Sequence, residues 1–165
     1  MSRNSEKSNG NAAGKVQAQQ RRWDDYRFPG ERVAEMRIAS RPDCLRLVRA
    51  LVNEVGDANG CSGECISQMV MAVDEACQNI IRHAYAGDPQ GEIVVDIRRQ
   101  DDAIAIHLLD FAAPVDVSKI KPRPLDDVKP GGLGTHFIHE CMDECGFLTP
   151  PDGAGNCLRL VKKIS

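Results

Sequence analysis

Aromatic residues are scarce: they make up 4% of the 165 residues, as one Trp, two Tyr and four Phe. The core therefore has to be built mostly from Leu, Ile, Val, Ala, Met and Cys. No apolar run approaches the roughly 18 residues that a membrane-spanning helix needs, so no membrane partner is expected. No excess of one charge is present either. The formal net charge is −3, which gives no case for direct nucleic-acid binding, a function that usually shows a basic surface. Residues 1–22 are polar and lack the apolar core of a secretory leader. The expected location is therefore cytoplasmic, with reduced thiols.

What is present fits one domain with a tail. The apolar share of 42% is ordinary for a globular chain. Residues 1–28 read as a disordered or loosely packed N-terminal tail, rich in Ser, Asn, Gln, Gly and Ala at its start. Trp23, Tyr26 and Phe28 at its end are expected to pack the entry to the domain or to face a partner. Seven cysteines include two pairs one helical turn apart, Cys61 with Cys65 and Cys141 with Cys145. These read as buried free thiols, with a zinc set or a redox pair as the alternatives.

Hydrophobic periodicity places the elements. Alternation from Arg32 to Ala39 sets Ala34, Met36 and Ile38 on one face, the mark of a strand. Ser40 suits an N-cap and Pro42 a first turn, opening a helix with the stripe Cys44, Leu47, Val48, Leu51, Val52 and Val55, which ends at Gly56–Gly60. A second helix runs from about Ser62 to Ala84. Strands at 92–99 and 103–110 flank the polar turn Gln100-Asp101-Asp102. Val115–Pro130 reads as a Pro- and Lys-rich loop. A third helix spans Thr135–Glu144, and a last strand pair covers 147–149 and 157–164. This order predicts an α/β (α+β) two-layer sandwich, with a mixed, mostly antiparallel sheet and helices on one face.

Three places carry chemistry. Glu75 and Asn79 stand four apart on the second helix, on one face, and His83 extends the row. They read either as a solvated polar face or as a site in which Asn79 gives an oxygen to Mg²⁺ and Glu75 handles a proton. Asp110 ends a strand and is uninformative alone. Gly131-Gly132-Leu133-Gly134 runs into a helix at Thr135, so its backbone N–H groups could cradle phosphate, or it is a plain flexible loop. It is not a P-loop, which would end Gly-Lys-Ser/Thr. Lys119, Lys121, Arg123 and Lys129 precede it, as phosphate clamps or as solubilising charges.

Together these segments resemble the histidine-kinase-type ATPase superfamily with its Bergerat fold. Glu75-Ala-Cys-Gln-Asn79-Ile-Ile-Arg-His83-Ala-Tyr85 is similar to its N box, and the His-Ala-Tyr ending resembles the anti-sigma-factor serine/threonine kinases. Asp110, Ala112, Pro114 and Asp116 resemble the first glycine box. Gly131 through Asp143 resembles the second. The resemblance covers about Arg32–Ile164 and implies an ATPase domain over 29–165. It implies Glu75 as general base, Asn79 as the Mg²⁺ ligand, Asp110 as acceptor of the adenine amino group, and Gly132 and Gly134 as the phosphate cradle. ATP and Mg²⁺ are then the cofactors. The resemblance also implies that His83, Ala112, Gly131, Leu133 and Thr135 border the nucleotide. The implied function is a kinase that phosphorylates a STAS-domain anti-anti-sigma protein and sequesters a sigma factor, as a homodimer. A weakened regulator-binding module, or a detached histidine-kinase ATPase domain, is the alternative. The family has Gly two residues after the adenine-reading Asp. Ala112 stands there instead, and its Cβ would narrow the approach of the base if the position takes φ > 0.

Overall fold

The computed structural model describes residues 28–116 and 133–164, with backbone only for 133–135. The calls on residues 1–27, on the basic loop and on Gly131 and Gly132 lie outside these. Five strands form one sheet in the order β1-β2-β3-β5-β4. They are β1 Glu31–Ala39, β2 Glu92–Gln100, β3 Ala103–Asp110, β4 Glu144–Leu148 and β5 Asn156–Lys163. All four pairings are antiparallel, so the sheet is not mixed. The helices α1 Leu45–Ala58, α2 Gly63–Asn79 and α3 Leu133–Cys141 supply the second layer.

One core joins the two layers. Val48, Val52, Met69, Val73 and Cys77 from the helices meet Ile93, Val95, Ile97, Ile106, Leu108 and Leu160 from the sheet, each nearly or wholly buried. The period-two face of β1 follows the alternation: Ala34, Met36 and Ile38 all pack toward this core. Aliphatic side chains do fill it, as the shortage of aromatics requires. The Arg49 guanidinium bonds Asp74 at 2.6 Å, bridging α1 and α2.

The opposite face of the sheet is also covered in part. Phe28 is 4% exposed, packs with Val94, Leu109 and Cys157, and stacks on the His107 ring at 3.8 Å. Beside them Arg98 donates to Asp96 at 2.7 and 3.1 Å, and Arg32 reaches the same carboxylate at 3.1 Å. Burial pushes the Asp96 carboxyl up, but His107 and the two guanidiniums outweigh it and hold it below the usual carboxylate range.

Several local expectations are corrected. Ser40 is not an N-cap: its hydroxyl donates to the Asp88 carbonyl, and a short 3₁₀ turn at Pro42–Cys44 precedes α1. Helix α1 does end within Gly56–Gly60, at Ala58, and Gly56 leaves room there for Ile66 and Met69 of α2. Leu47, expected in the core stripe, is 48% exposed. The second helix is regular only to Asn79. Ile80–Ala84 is a wider π turn, in which Tyr85 N–H bonds the Ile80 carbonyl at 3.0 Å. Helix α3 stops at Cys141, and β4 already starts at Glu144. There the Asp143 N–H pairs with the Val161 carbonyl, drawing the chain onto the sheet.

Candidate functional site

The C-terminal end of α2 sits over the ends of β3 and β5, and a cleft of about 410 Å³ opens between them. That size falls within the range of small-molecule and cofactor sites. Asn79, Ile80 and His83 line one wall. Leu108, Asp110, Asn156 and Leu158 form the floor, and Ile138 and His139 of α3 approach from the far side with Cys145 and Phe147 of β4. The walls are mostly aliphatic, with a few polar groups converging.

Asp110 is 3% exposed. Its Oδ1 accepts from Ala112 N–H at 3.1 Å and from Asn156 Nδ2 at 2.8 Å. Burial raises its pKa, more than these two hydrogen bonds lower it. No described residue donates to Oδ2, which leaves that oxygen as an acceptor in a cleft-lining carboxylate. The ladder explains the pairing: Asp110 and Asn156 are direct partners across β3 and β5.

Asn156 also fixes the chain beyond β3. It donates to the Ala113 carbonyl at 3.2 Å, and its Oδ1 accepts Val115 N–H at 2.7 Å. Next to it, Gly155 N–H bonds the Asp110 carbonyl at 2.7 Å. A side chain at 155 would collide with the Ala112 carbonyl oxygen and lie 3.0 Å from its carbon. The close approach seen here is between the 112 backbone and Gly155, the residue just before β5. Ala112 itself is not among the residues with positive φ, so its Cβ carries no backbone strain.

The remaining expected residues are placed as follows. Asn79 and His83 reach the cleft with Asp110, and no described residue hydrogen-bonds the Asn79 side chain. Glu75 lies one turn back on α2, half-buried, outside the cleft lining and 3.8 Å from the Arg82 guanidinium. Ala112 lies outside the cleft lining and is tied to it through its N–H on Asp110 Oδ1. Leu133, Gly134 and Thr135 form the first turn of α3. Sequence reasoning missed Asn156, and named Tyr85 only as the end of the N-box resemblance. The Gly155-Asn156 step after a turn was a local signal, but its meaning depends on strand register. His139 gave no signal apart from helical position.

The cysteines form no metal centre among the described residues, where no group of three or more His, Cys, Asp or Glu is placed to hold an ion. All seven are free thiols. Cys65 packs in the core with its Sγ 3.5 Å from the Lys163 carbonyl. Burial, with smaller effects from Cys65, pushes the neighbouring Cys61 up to about 11. No helix among the described residues is long and apolar enough to cross a membrane.

A two-layer domain with an antiparallel sheet, one helical face and a polar-tipped cleft at the sheet end defines the class: an α/β ligand-binding domain. The chain belongs to the histidine kinase-like ATPase domain family, whose model matches residues 38–162. It is 30% identical over 118 residues to the serine-protein kinase RsbW of Oceanobacillus iheyensis, covering 67% of this chain and 75% of that protein. It is likewise 30% identical to the serine-protein kinase RsbW of Bacillus cereus strain AH187, covering 67% and 73%. Among solved structures it is similar to the RsbU and RsbW domains of Rv1364c from Mycobacterium tuberculosis. The TM-score is 0.56 at 18% identity, over 79% of this chain and 31% of that longer one. That last likeness shows the fold alone.

Proposed function

We propose that this chain is an ATP-dependent serine/threonine kinase and anti-sigma factor of the partner-switching type. It would phosphorylate a STAS-domain anti-anti-sigma protein and sequester a sigma factor. The observation that carries the reading is the convergence of Asn79 and Asp110 on one cleft, in a chain of the histidine kinase-like ATPase family. The names of its relatives support the serine specificity.

The residues present fit Mg²⁺-ATP. Asp110 Oδ2 has no described donor and would accept the exocyclic amine of adenine. Asn79 would present its side-chain oxygen to Mg²⁺, which needs few protein ligands beside phosphate. The first turn of α3, entered from Gly131–Gly134, would offer backbone N–H groups to phosphate. Mg²⁺-ATP, when bound, supplies the phosphoryl group and neutralises its charge. Glu75 would take the proton from the attacking hydroxyl at a carboxylate oxygen. In the described state that carboxylate is beside Arg82, so this role asks the Glu75 side chain to turn toward the cleft. The alternative of a catalytically weakened module rested on Ala112, and the absence of a positive φ there favours the active reading.

The test is incubation of the protein with labelled ATP and a cognate STAS-domain partner. Label is expected on a Ser or Thr of the partner, and Glu75→Ala is expected to abolish it. Label on the partner's His would refute the specificity, and transfer that survives Glu75→Ala would refute the base.

A further inference from the structure

Tyr85 ends the π turn that follows Asn79, and its hydroxyl makes three hydrogen bonds. It donates to the Glu92 carbonyl at 2.6 Å and accepts from Glu92 N–H at 3.2 Å and from Phe111 N–H at 2.8 Å. A phenolic oxygen has one donor and two acceptor sites, so the group is saturated. Burial raises the phenol's pKa, against the opposing pull of the Phe111 and Glu92 backbone bonds, which keeps its proton in place. The ring lies against Gly91, where a Cβ would come within 2.5 Å of a ring carbon. Phe111 directly follows Asp110. One side-chain oxygen thus ties the helix end bearing Asn79 and His83 to the turn bearing Asp110.

The π turn gives this tie its reach. A wider turn carries an extra residue per hydrogen-bonded ring and is often found at functional sites. Here it brings the chain down from α2 so that Tyr85 meets both the start of β2 and the residue after Asp110. The strand partner Ile93↔Asp110 closes the same loop from the ladder side.

We propose that Tyr85 is a positioning residue for nucleobase recognition, with its hydroxyl holding the Asp110 carboxylate at a fixed place relative to Asn79. The inference rests on the reading of Asp110 as the acceptor of an exocyclic amine. It concerns selectivity, not affinity in general. An inosine nucleotide has a carbonyl where adenine has the amine, so the ratio of the two dissociation constants isolates that contact.

The experiment measures the affinities of the full chain for ATP and for inosine triphosphate, by calorimetry, in wild type, Tyr85→Phe, Gly91→Ala and Asp110→Asn. Wild type is expected to prefer ATP, and Asp110→Asn to abolish the preference. Tyr85→Phe removes one oxygen from an otherwise unchanged ring. It is expected to lower the preference about three- to tenfold, the factor one net hydrogen bond is worth, while leaving inosine triphosphate within about twofold. Gly91→Ala keeps the hydroxyl but displaces the ring and is expected to lower the ratio in the same way, so a misfolded Tyr85→Phe would not end the test. If Asp110→Asn loses the preference while Tyr85→Phe and Gly91→Ala keep it, or weaken both ligands equally, the positioning role is overturned and the Asp110 reading stands. If wild type shows no preference, the Asp110 reading itself fails, and this inference with it.

Discussion

Gly155→Ala is the sharpest single probe of the site, because one added methyl has a calculable destination. The new Cβ would overlap the Ala112 carbonyl oxygen and stand 3.0 and 3.1 Å from the Ala112 carbon and nitrogen. Those are backbone atoms in a turn held by Asn156 at both ends, so no side chain can swing aside. Relief requires the 111–113 turn to lift away from β5. Overpacking of this kind costs about 1–3 kcal/mol. Lifting the turn also breaks the 2.7 Å bond from Gly155 N–H to the Asp110 carbonyl, worth about 1 kcal/mol. The sum is about 2–4 kcal/mol, or a drop in melting midpoint of roughly 5–15 °C for a chain of this size. Urea unfolding gives the first quantity and scanning calorimetry the second. Since the moved turn follows Asp110 directly and holds its carboxylate through the Ala112 N–H, ATP affinity should fall in parallel. A midpoint within about 1 °C of wild type, with unchanged ATP affinity, would refute the reasoning. It would show that the turn is slack where the contacts say it is tight.

Other consequences can be measured with the same tools. Asn156→Ala removes three hydrogen bonds and leaves Val115 N–H without its acceptor; urea unfolding should show a loss of about 2–3 kcal/mol. Asp110→Asn keeps an oxygen for Ala112 and Asn156 but removes a buried charge. Because burial raises the Asp110 pKa, the native state holds the proton more tightly than the unfolded chain, and that stability is lost as pH rises through the folded pKa. The variant should therefore melt above wild type at pH 7, with the gap closing toward pH 4, and yet bind ATP poorly; a constant gap across this range would contradict the assignment. Arg98→Ala strips two hydrogen bonds from buried Asp96 and leaves Arg32 as its guanidinium partner, which should cost about 1.5–3 kcal/mol in denaturant unfolding. Asn79→Ala should weaken ATP binding only when Mg²⁺ is present, read by titration with and without chelator.

Much of this arrangement was legible in the order of residues. The strand alternation, the helical stripes and the polar hairpin turn gave the layers, because side-chain period alone separates helix from strand. Asn79 and Asp110 could be picked out only through the family resemblance, since type and position alone left Asp110 uninformative. What stayed hidden depended on contacts between distant segments. The partnership of Asp110 with Asn156 needs the β3–β5 register, which no local pattern encodes. The π turn has no compositional mark in Ile80-Ile-Arg-His-Ala84. Ser40 looked like a cap until the Asp88 carbonyl claimed its hydroxyl. Ala112 looked like a defect because its φ, which is not positive, cannot be read from residue type.

The central place of β3 has a consequence for motion. All eight of its residues are buried, and it is hydrogen-bonded to a neighbour on both sides. Its amides should exchange with deuterated solvent only when the whole domain opens, whereas helix ends exchange through local fraying. Asp110 is the last residue of that slowest strand, and Asn79 the last residue of a regular helix. On the proposed reading, nucleotide recognition would span two exchange regimes, with Asp110 anchored in the most protected segment. Bound nucleotide should slow exchange at the end of α2 far more than in β3, where little protection remains to be gained.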